Sequence, residues 1–103
     1  MDPHRTEDQS AQLALLMDPA THGGAAPRRI DTHGAVVVLA GDRALKLKRA
    51  VRFAFLDYST AERRRLSAAA ELRINRRTAP DLYLGVRAII NGPDGLVLGP
   101  LGD

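Results

Sequence analysis

The segment that most constrains the fold is a pair of strand-like runs around a tight turn. Residues 36–40 are a continuous β-branched and aliphatic run, and residues 44–51 alternate in polarity. Gly41-Asp42 separates the two runs, and such a pair is typical of a two-residue hairpin turn. The sequence therefore predicts an antiparallel hairpin, with residues 28–32 as the candidate for a preceding third strand.

Two lysines share one face of the second predicted strand. Because side chains alternate along a strand, Leu45 and Leu47 point to one face, and Lys46 and Lys48 point to the other. The two ammonium groups repel each other there, and a bound phosphate group would offset both charges with its acceptor oxygens. The alternative is a solvent-exposed face with hydrated lysines, since antiparallel sheets often have one wet face.

A long helix is predicted after the apolar connector formed by residues 52–58. Ser59 or Thr60 is a suitable N-cap, and residues 61–78 are rich in helix-forming Ala, Leu, Arg and Glu. Pro80 ends the predicted helix.

Glu71 is the candidate acidic partner for the strand lysines. It shares a helical stripe with Ser67 and Ile74, at the edge that would face the sheet. The alternative is a surface carboxylate that pairs locally with Arg73 or Arg76.

The remaining segments complete an α+β arrangement. The sequence predicts a short helix over residues 6–18 and a Gly- and Pro-rich linker over 19–27. Strands are predicted over 82–90 and 96–98 around a turn at 91–95. We therefore expect an antiparallel sheet of about five strands with one long crossing helix, preceded by a short N-terminal helix. The expected division is an N-terminal helix and linker over residues 1–26 and a second unit over 27–103.

The charge of the chain is concentrated in its middle. Between Arg43 and Arg77 there are 11 basic and 3 acidic residues, although the net charge of the whole sequence is only +3. Such a positive segment attracts phosphates, whether of a nucleotide or of a nucleic acid. A nucleic-acid-binding module that uses residues 43–77 is therefore one alternative. The three consecutive arginines at 63–65 spread around the helix, however, and no aromatic RNA-binding motif is present.

Several classes of protein are excluded by missing features. The chain has no cysteine and therefore no disulfide or thiolate metal site, and its three histidines are too far apart for a helical zinc pair. It contains neither a P-loop nor a Rossmann glycine motif. We expect no metal site and no catalytic residue in this chain.

With no long apolar run and no signal-peptide pattern, we expect a cytoplasmic protein without membrane contact.

The run GAVVVLAGDRALKLKRAVRFAFLDYSTAERRR and the segments ELRINRR and APDLYLGV resemble one bacterial family. They are similar to the amino-terminal region of aminoglycoside phosphotransferase-like kinases, in the branch often fused to a P-loop ATP-binding domain. The resemblance covers about residues 27–99. It implies the small, ATP-covering lobe of a protein-kinase-like fold, which has a five-stranded antiparallel sheet and one crossing helix.

The resemblance also implies roles for individual residues. Lys46, or Lys48 on the same face, would contact the α- and β-phosphates of ATP, and Glu71 would orient that lysine. Thr32, His33 and Gly34 occupy the position of the phosphate-covering loop, although this loop has a single glycine.

The large lobe of the family, with its catalytic aspartate and magnesium ligands, has no counterpart in these 103 residues. We therefore expect a truncated small lobe with weak ATP affinity and no phosphotransferase activity alone. The third interpretation is an interaction domain that needs a separate large lobe or self-associates.

Overall fold

The computed structural model describes residues 4–54, 56–79 and 84–102. Over these residues the protein is α+β, with antiparallel strand pairing throughout. The elements are α1 (Ser10–Leu16), a 3-10 turn (Pro19–His22), β1 (Arg28–Asp31), β2 (Ala35–Ala40), β3 (Arg43–Lys48), β4 (Arg52–Phe53), β5 (Leu56–Asp57), α2 (Ala61–Asn75), β6 (Val86–Gly92) and β7 (Gly95–Gly102).

The predicted hairpin and its third strand form a three-stranded meander in the order β1-β2-β3. The turn at Gly41-Asp42 is present, and Gly41 has a φ of 60°, a conformation that glycine adopts without steric cost. Its register pairs Val36 with Leu47 and Val38 with Leu45, so the apolar side chains of both strands share one face.

Helix α1 covers that apolar face. Leu16 is buried together with Val36 and Val38, and the half-buried side chains of Leu45 and Leu47 pack against this cluster. The helix is shorter than the predicted span of 6–18, because residues 4–9 instead make hydrogen bonds to distant parts of the chain. The predicted linker begins with the 3-10 turn, which Asp18 caps by accepting a hydrogen bond from Ala20 N.

The predicted connector contains a two-residue hairpin. β4 and β5 pair Arg52 with Asp57 and Phe53 with Leu56. The sequence signal for these strands is weak because each is only two residues long. Residue 55 lies outside the described part of the chain.

Helix α2 begins where its sequence predicts. Thr60 caps it by accepting a hydrogen bond from Arg63 N at 3.1 Å. The helix ends at Asn75, three residues before the predicted end, and continues as a turn over residues 76–78. The predicted stop at Pro80 lies outside the described residues, as does the predicted strand start at 82–83.

The last two strands form a separate hairpin. β6 and β7 pair around Pro93-Asp94, with Gly92 opposite Gly95. The single sheet of about five strands is therefore replaced, over the described residues, by antiparallel sheets of three, two and two strands. Among the described strands, β6 and β7 pair with each other and not with the meander. The hairpin packs on the core through side chains instead: β7 contacts α1, and Leu98 packs against the Leu16 cluster.

Over the described residues, neither helix has the length and apolar character that crossing a bilayer requires.

Candidate functional site

The face of the meander opposite α1 carries both lysines of the sequence. Lys46 lies opposite Val37 and Lys48 opposite Ala35 in the β2–β3 register. The predicted alternation is confirmed, because Leu45 and Leu47 pack on the core while the two ammonium groups turn the other way. The lysine side chains differ in exposure, at 43% for Lys46 and 12% for Lys48.

Glu71 of α2 contacts both ammonium groups. Lys48 Nζ donates to Glu71 Oε1 at 2.8 Å, and Lys46 Nζ donates to Glu71 Oε2 at 3.2 Å. The predicted contact between a strand lysine and Glu71 is therefore present, and both candidate lysines take part in it. The structure pairs Glu71 with these lysines rather than with Arg73 or Arg76.

The electrostatic state of Glu71 follows from two opposing effects. Burial raises the pKa of this carboxyl, but the hydrogen bonds and positive charges of Lys48, and then of Lys46, outweigh it and hold the pKa below the ordinary value of 4.5. The carboxylate is therefore ionised near neutral pH. With one negative and two positive groups, the cluster keeps a net positive charge that can attract an anion.

Tyr58 covers the more buried lysine. Lys48 Nζ lies 5.6 Å from the centre of the Tyr58 ring, within the range of a cation–π contact. Ser67 of α2 donates a hydrogen bond from Oγ to the Tyr58 hydroxyl oxygen at 3.0 Å. The ring is thus held between the helix and the lysine, which restricts the direction in which Lys48 can point.

The turn between β1 and β2 forms one rim of the site. Thr32 Oγ1 accepts a hydrogen bond from Ala35 N at 3.0 Å. Arg49 donates to the carbonyl oxygens of Thr32 and His33 at 2.9 and 3.2 Å, so this turn is fixed in place. An added Cβ at Gly34 would lie 3.1 Å from Leu56 and 3.3 Å from Tyr58, which explains why glycine suits this position.

These elements enclose a shallow concavity of about 310 Å³. Lys46 and Lys48 line it from the sheet, Thr32 and Gly34 from the turn, and Tyr58 from the segment before α2. Of the candidate residues, Glu71 and His33 do not line the concavity. Glu71 contacts the two lysines from α2, and the His33 ring meets the edge of Phe53 with centroids 6.1 Å apart.

The chemistry that this arrangement offers is anion binding. An anion with several acceptor oxygens, such as a phosphate chain, fits two lysine donors beside a half-apolar wall. Over the described residues, no group of three or more His, Asp or Glu side chains is placed to hold a metal ion.

The consecutive arginines of α2 are engaged in local contacts. Arg63 Nη1 lies 3.5 Å from Asp57, and Arg65 forms a pair with Glu62 at 2.6 Å. Arg64 donates to the Tyr58 carbonyl at 2.8 Å and pairs with Glu7 at 2.6 Å. These side chains therefore do not form a single basic stripe.

Three residues of the site and its supports were missed by sequence reasoning: Tyr58, Ser67 and Arg64. Ser67 was on the stripe identified for Glu71, which was a usable signal. The pair of Arg64 with Glu7 joins segments 57 residues apart, and the β4–β5 hairpin separates Tyr58 from Lys48 in the sequence. Periodicity gives no signal for either contact.

No protein-family model matches this chain, and no solved structure matches it. The chain is similar to uncharacterized proteins of Mycobacterium tuberculosis and Mycobacterium bovis, with 48% identity over 65 residues. The match covers 63% of this chain and 13% of each relative, so the chain spans only a small part of their length.

Proposed function

We propose that the concavity over the lysine face is the phosphate-binding half of an ATP site, in the small lobe of an aminoglycoside phosphotransferase-like kinase. The observation that carries this proposal is the cluster in which Lys46 and Lys48 share the carboxylate of Glu71, at 3.2 and 2.8 Å. A half-buried ion pair contributes little net stability relative to apolar side chains of similar volume, and its presence here therefore favours a role in ligand binding.

The exposure of the two lysines assigns them different tasks in this proposal. Lys46 is 43% exposed and has the longer contact with Glu71. Moving its ammonium from Glu71 to a phosphate oxygen therefore costs less free energy than moving that of Lys48. Lys48 is 12% exposed and is fixed between Glu71 and the Tyr58 ring. It therefore supplies a steady positive charge beneath the phosphates.

The proposal divides the reaction between two parts. In this proposal the described residues bind the phosphates of ATP. A large lobe would position the acceptor and bind magnesium, and none of the residues described serves as a magnesium ligand. The 103-residue chain is therefore expected to bind ATP weakly and to transfer no phosphate to an aminoglycoside. Use of ATP would place the protein in the cytoplasm.

An NMR titration tests the proposal directly. Lys46 and Lys48 are the two lysines of the sequence, so selective ¹³Cε labelling gives one signal for each. ATP is expected to shift both signals saturably and more than adenosine does. Lys46→Met should weaken ATP binding about tenfold, as expected for loss of a charge-assisted hydrogen bond.

Arg43→Met is the matched control, because Arg43 is an exposed cation on the same strand and lies 3.9 Å from Asp42. It should leave ATP binding nearly unchanged. Equal losses in the two variants, or lysine signals that ATP does not move, would contradict the proposal.

A second candidate function, an interaction surface for a partner lobe or a second copy, is favoured by the β6–β7 hairpin. Ile90 and Val97 lie opposite each other in its register and are 47% and 45% exposed. Adjacent exposed apolar side chains are typical of a contact surface. Light scattering tests self-association: a Val97→Glu variant should lower the average mass, and a monomer at high concentration in the unmodified protein counts against it.

A further inference from the structure

Residues 4–9 pair with the segment that follows β3. Thr6 N donates to Ala50 O at 2.8 Å, and Arg52 N donates to His4 O at 2.9 Å. These two bonds flank an antiparallel bridge between Arg5 and Val51. The N-terminal segment thus lies along the chain immediately after the strand that carries both lysines.

Gln9 extends this pairing to Lys48 itself. Its Nε2 donates to the Lys48 carbonyl at 3.1 Å, and its Oε1 accepts from Ala50 N at 2.8 Å. Lys48 is the last residue of β3, and its backbone is paired with Ala35 on one side, next to the bond from Arg49 N to Gly34 O at 2.8 Å. The half-buried amide side chain of Gln9 adds two further hydrogen bonds to this end of the strand, from which the Lys48 side chain projects.

Glu7 makes a corresponding contact with the helix. Arg64, whose side chain is only 13% exposed, donates from Nη2 to Glu7 Oε1 at 2.6 Å. Arg64 and Glu71 are seven residues apart, about two helical turns, so they lie on the same face of α2. Holding Arg64 therefore restricts the rotation of the helix that presents Glu71.

We propose that Gln9 and Glu7 are positioning residues for the Lys48–Glu71 pair, so that residues 4–9 fix the strand side and the helix side of the site together. Neither residue touches the concavity over the lysine face, and both act through the elements that they hold. The consequence for ATP affinity rests on the proposed function, whereas the positioning of the ion pair does not.

The test measures the pKa of the Glu71 carboxyl by ¹³C NMR in the full chain. Gln9→Ala and Glu7→Ala should each raise this pKa toward its ordinary value of 4.5, because the lysine contacts loosen. Glu7→Gln keeps an oxygen for Arg64 and should preserve most of the lowering. If the unmodified chain binds ATP, the two alanine variants should weaken that binding about three- to tenfold.

Thr21→Ala is the matched control. It removes another half-buried N-terminal hydrogen bond, from Thr21 Oγ1 to Leu15 O at 2.6 Å, without contact to the site. The proposal is overturned if Gln9→Ala and Glu7→Ala only lower the urea midpoint, as Thr21→Ala does, and leave the Glu71 pKa in place. Failure of ATP to bind the unmodified chain would instead contradict the proposed function alone.

Discussion

Lys48 and Glu71, 23 residues apart in the sequence, meet at 2.8 Å between the meander and α2. Lys46 reaches the other oxygen of the same carboxylate at 3.2 Å. One acidic side chain therefore connects the helix to two positions of one strand.

Glu71→Gln should destabilise the fold. The substitution removes the counter-charge of Lys48, whose side chain is 12% exposed, and should lower the free energy of unfolding by about 1–2 kcal/mol. Urea denaturation measures the change. Glu62→Gln is the control, because Glu62 and Arg65 form an exposed pair whose loss should leave the free energy of unfolding nearly unchanged. Equal costs for the two variants would contradict a special role for Glu71.

The contribution of this cluster should depend on pH. Because the pKa of Glu71 is lowered on folding, the folded state binds this proton less readily than the unfolded chain does. The stabilisation is fully present above the ordinary value of 4.5 and is lost as the pH falls through the lower folded value. The stability difference between the unmodified protein and Glu71→Gln should therefore shrink as the pH is lowered from neutral to below 4.5. A difference that stays constant over this range would refute the assignment.

Gly34→Ala should strain the rim of the concavity. The new Cβ would lie 3.1 Å from Leu56 Cδ2 and 3.3 Å from the Tyr58 ring, and we expect a cost of about 1–2 kcal/mol in the free energy of unfolding. Leu56→Ala removes one of the crowded atoms. In a double-mutant cycle measured by urea denaturation, the two substitutions should cost less together than the sum of their separate costs. If the costs of the two substitutions simply add, the close approach of residue 34 to Leu56 is unimportant for stability.

Leu16→Ala should show that α1 belongs to the same core as the meander. Leu16 is 3% exposed and packs with Val36 and Val38, so its truncation should cost about 2–4 kcal/mol. Leu66→Ala changes the same residue type at a position on α2 that is 54% exposed, and it should cost less than about 1 kcal/mol. Thermal or urea unfolding compares the two variants, and similar costs would contradict the packing described.

The parts of the fold with strong local signals were predictable. The Gly41-Asp42 turn, the alternation along β3 and the Thr60 cap are each determined by a few neighbouring residues, and all three are present. The predicted helix over residues 6–18 was wrong at its start, because residues 4–9 pair with residues 48–52 instead. Hydrogen bonds across such a separation leave no periodic pattern in the sequence.

The candidate site was predictable to a similar extent. Alternation placed Lys46 and Lys48 together, and helical spacing placed Glu71 at the edge of α2 that faces them. The sequence did not distinguish the two lysines, because their difference in exposure arises from Tyr58 and from the position of each lysine along β3. It also did not predict that His33 would turn toward Phe53, since a turn residue has no preferred face.

Sharing a single carboxylate has a thermodynamic consequence for the helix. Each oxygen of Glu71 holds one lysine, so an anion that draws the Lys46 ammonium away also removes one of the two tethers between that carboxylate and the strand. Anion binding in the concavity would then change how firmly α2 is held against the strand, and holding α2 more firmly would change anion binding in return. Any contact that fixes α2 would change anion affinity by the same factor by which the anion changes the strength of that contact.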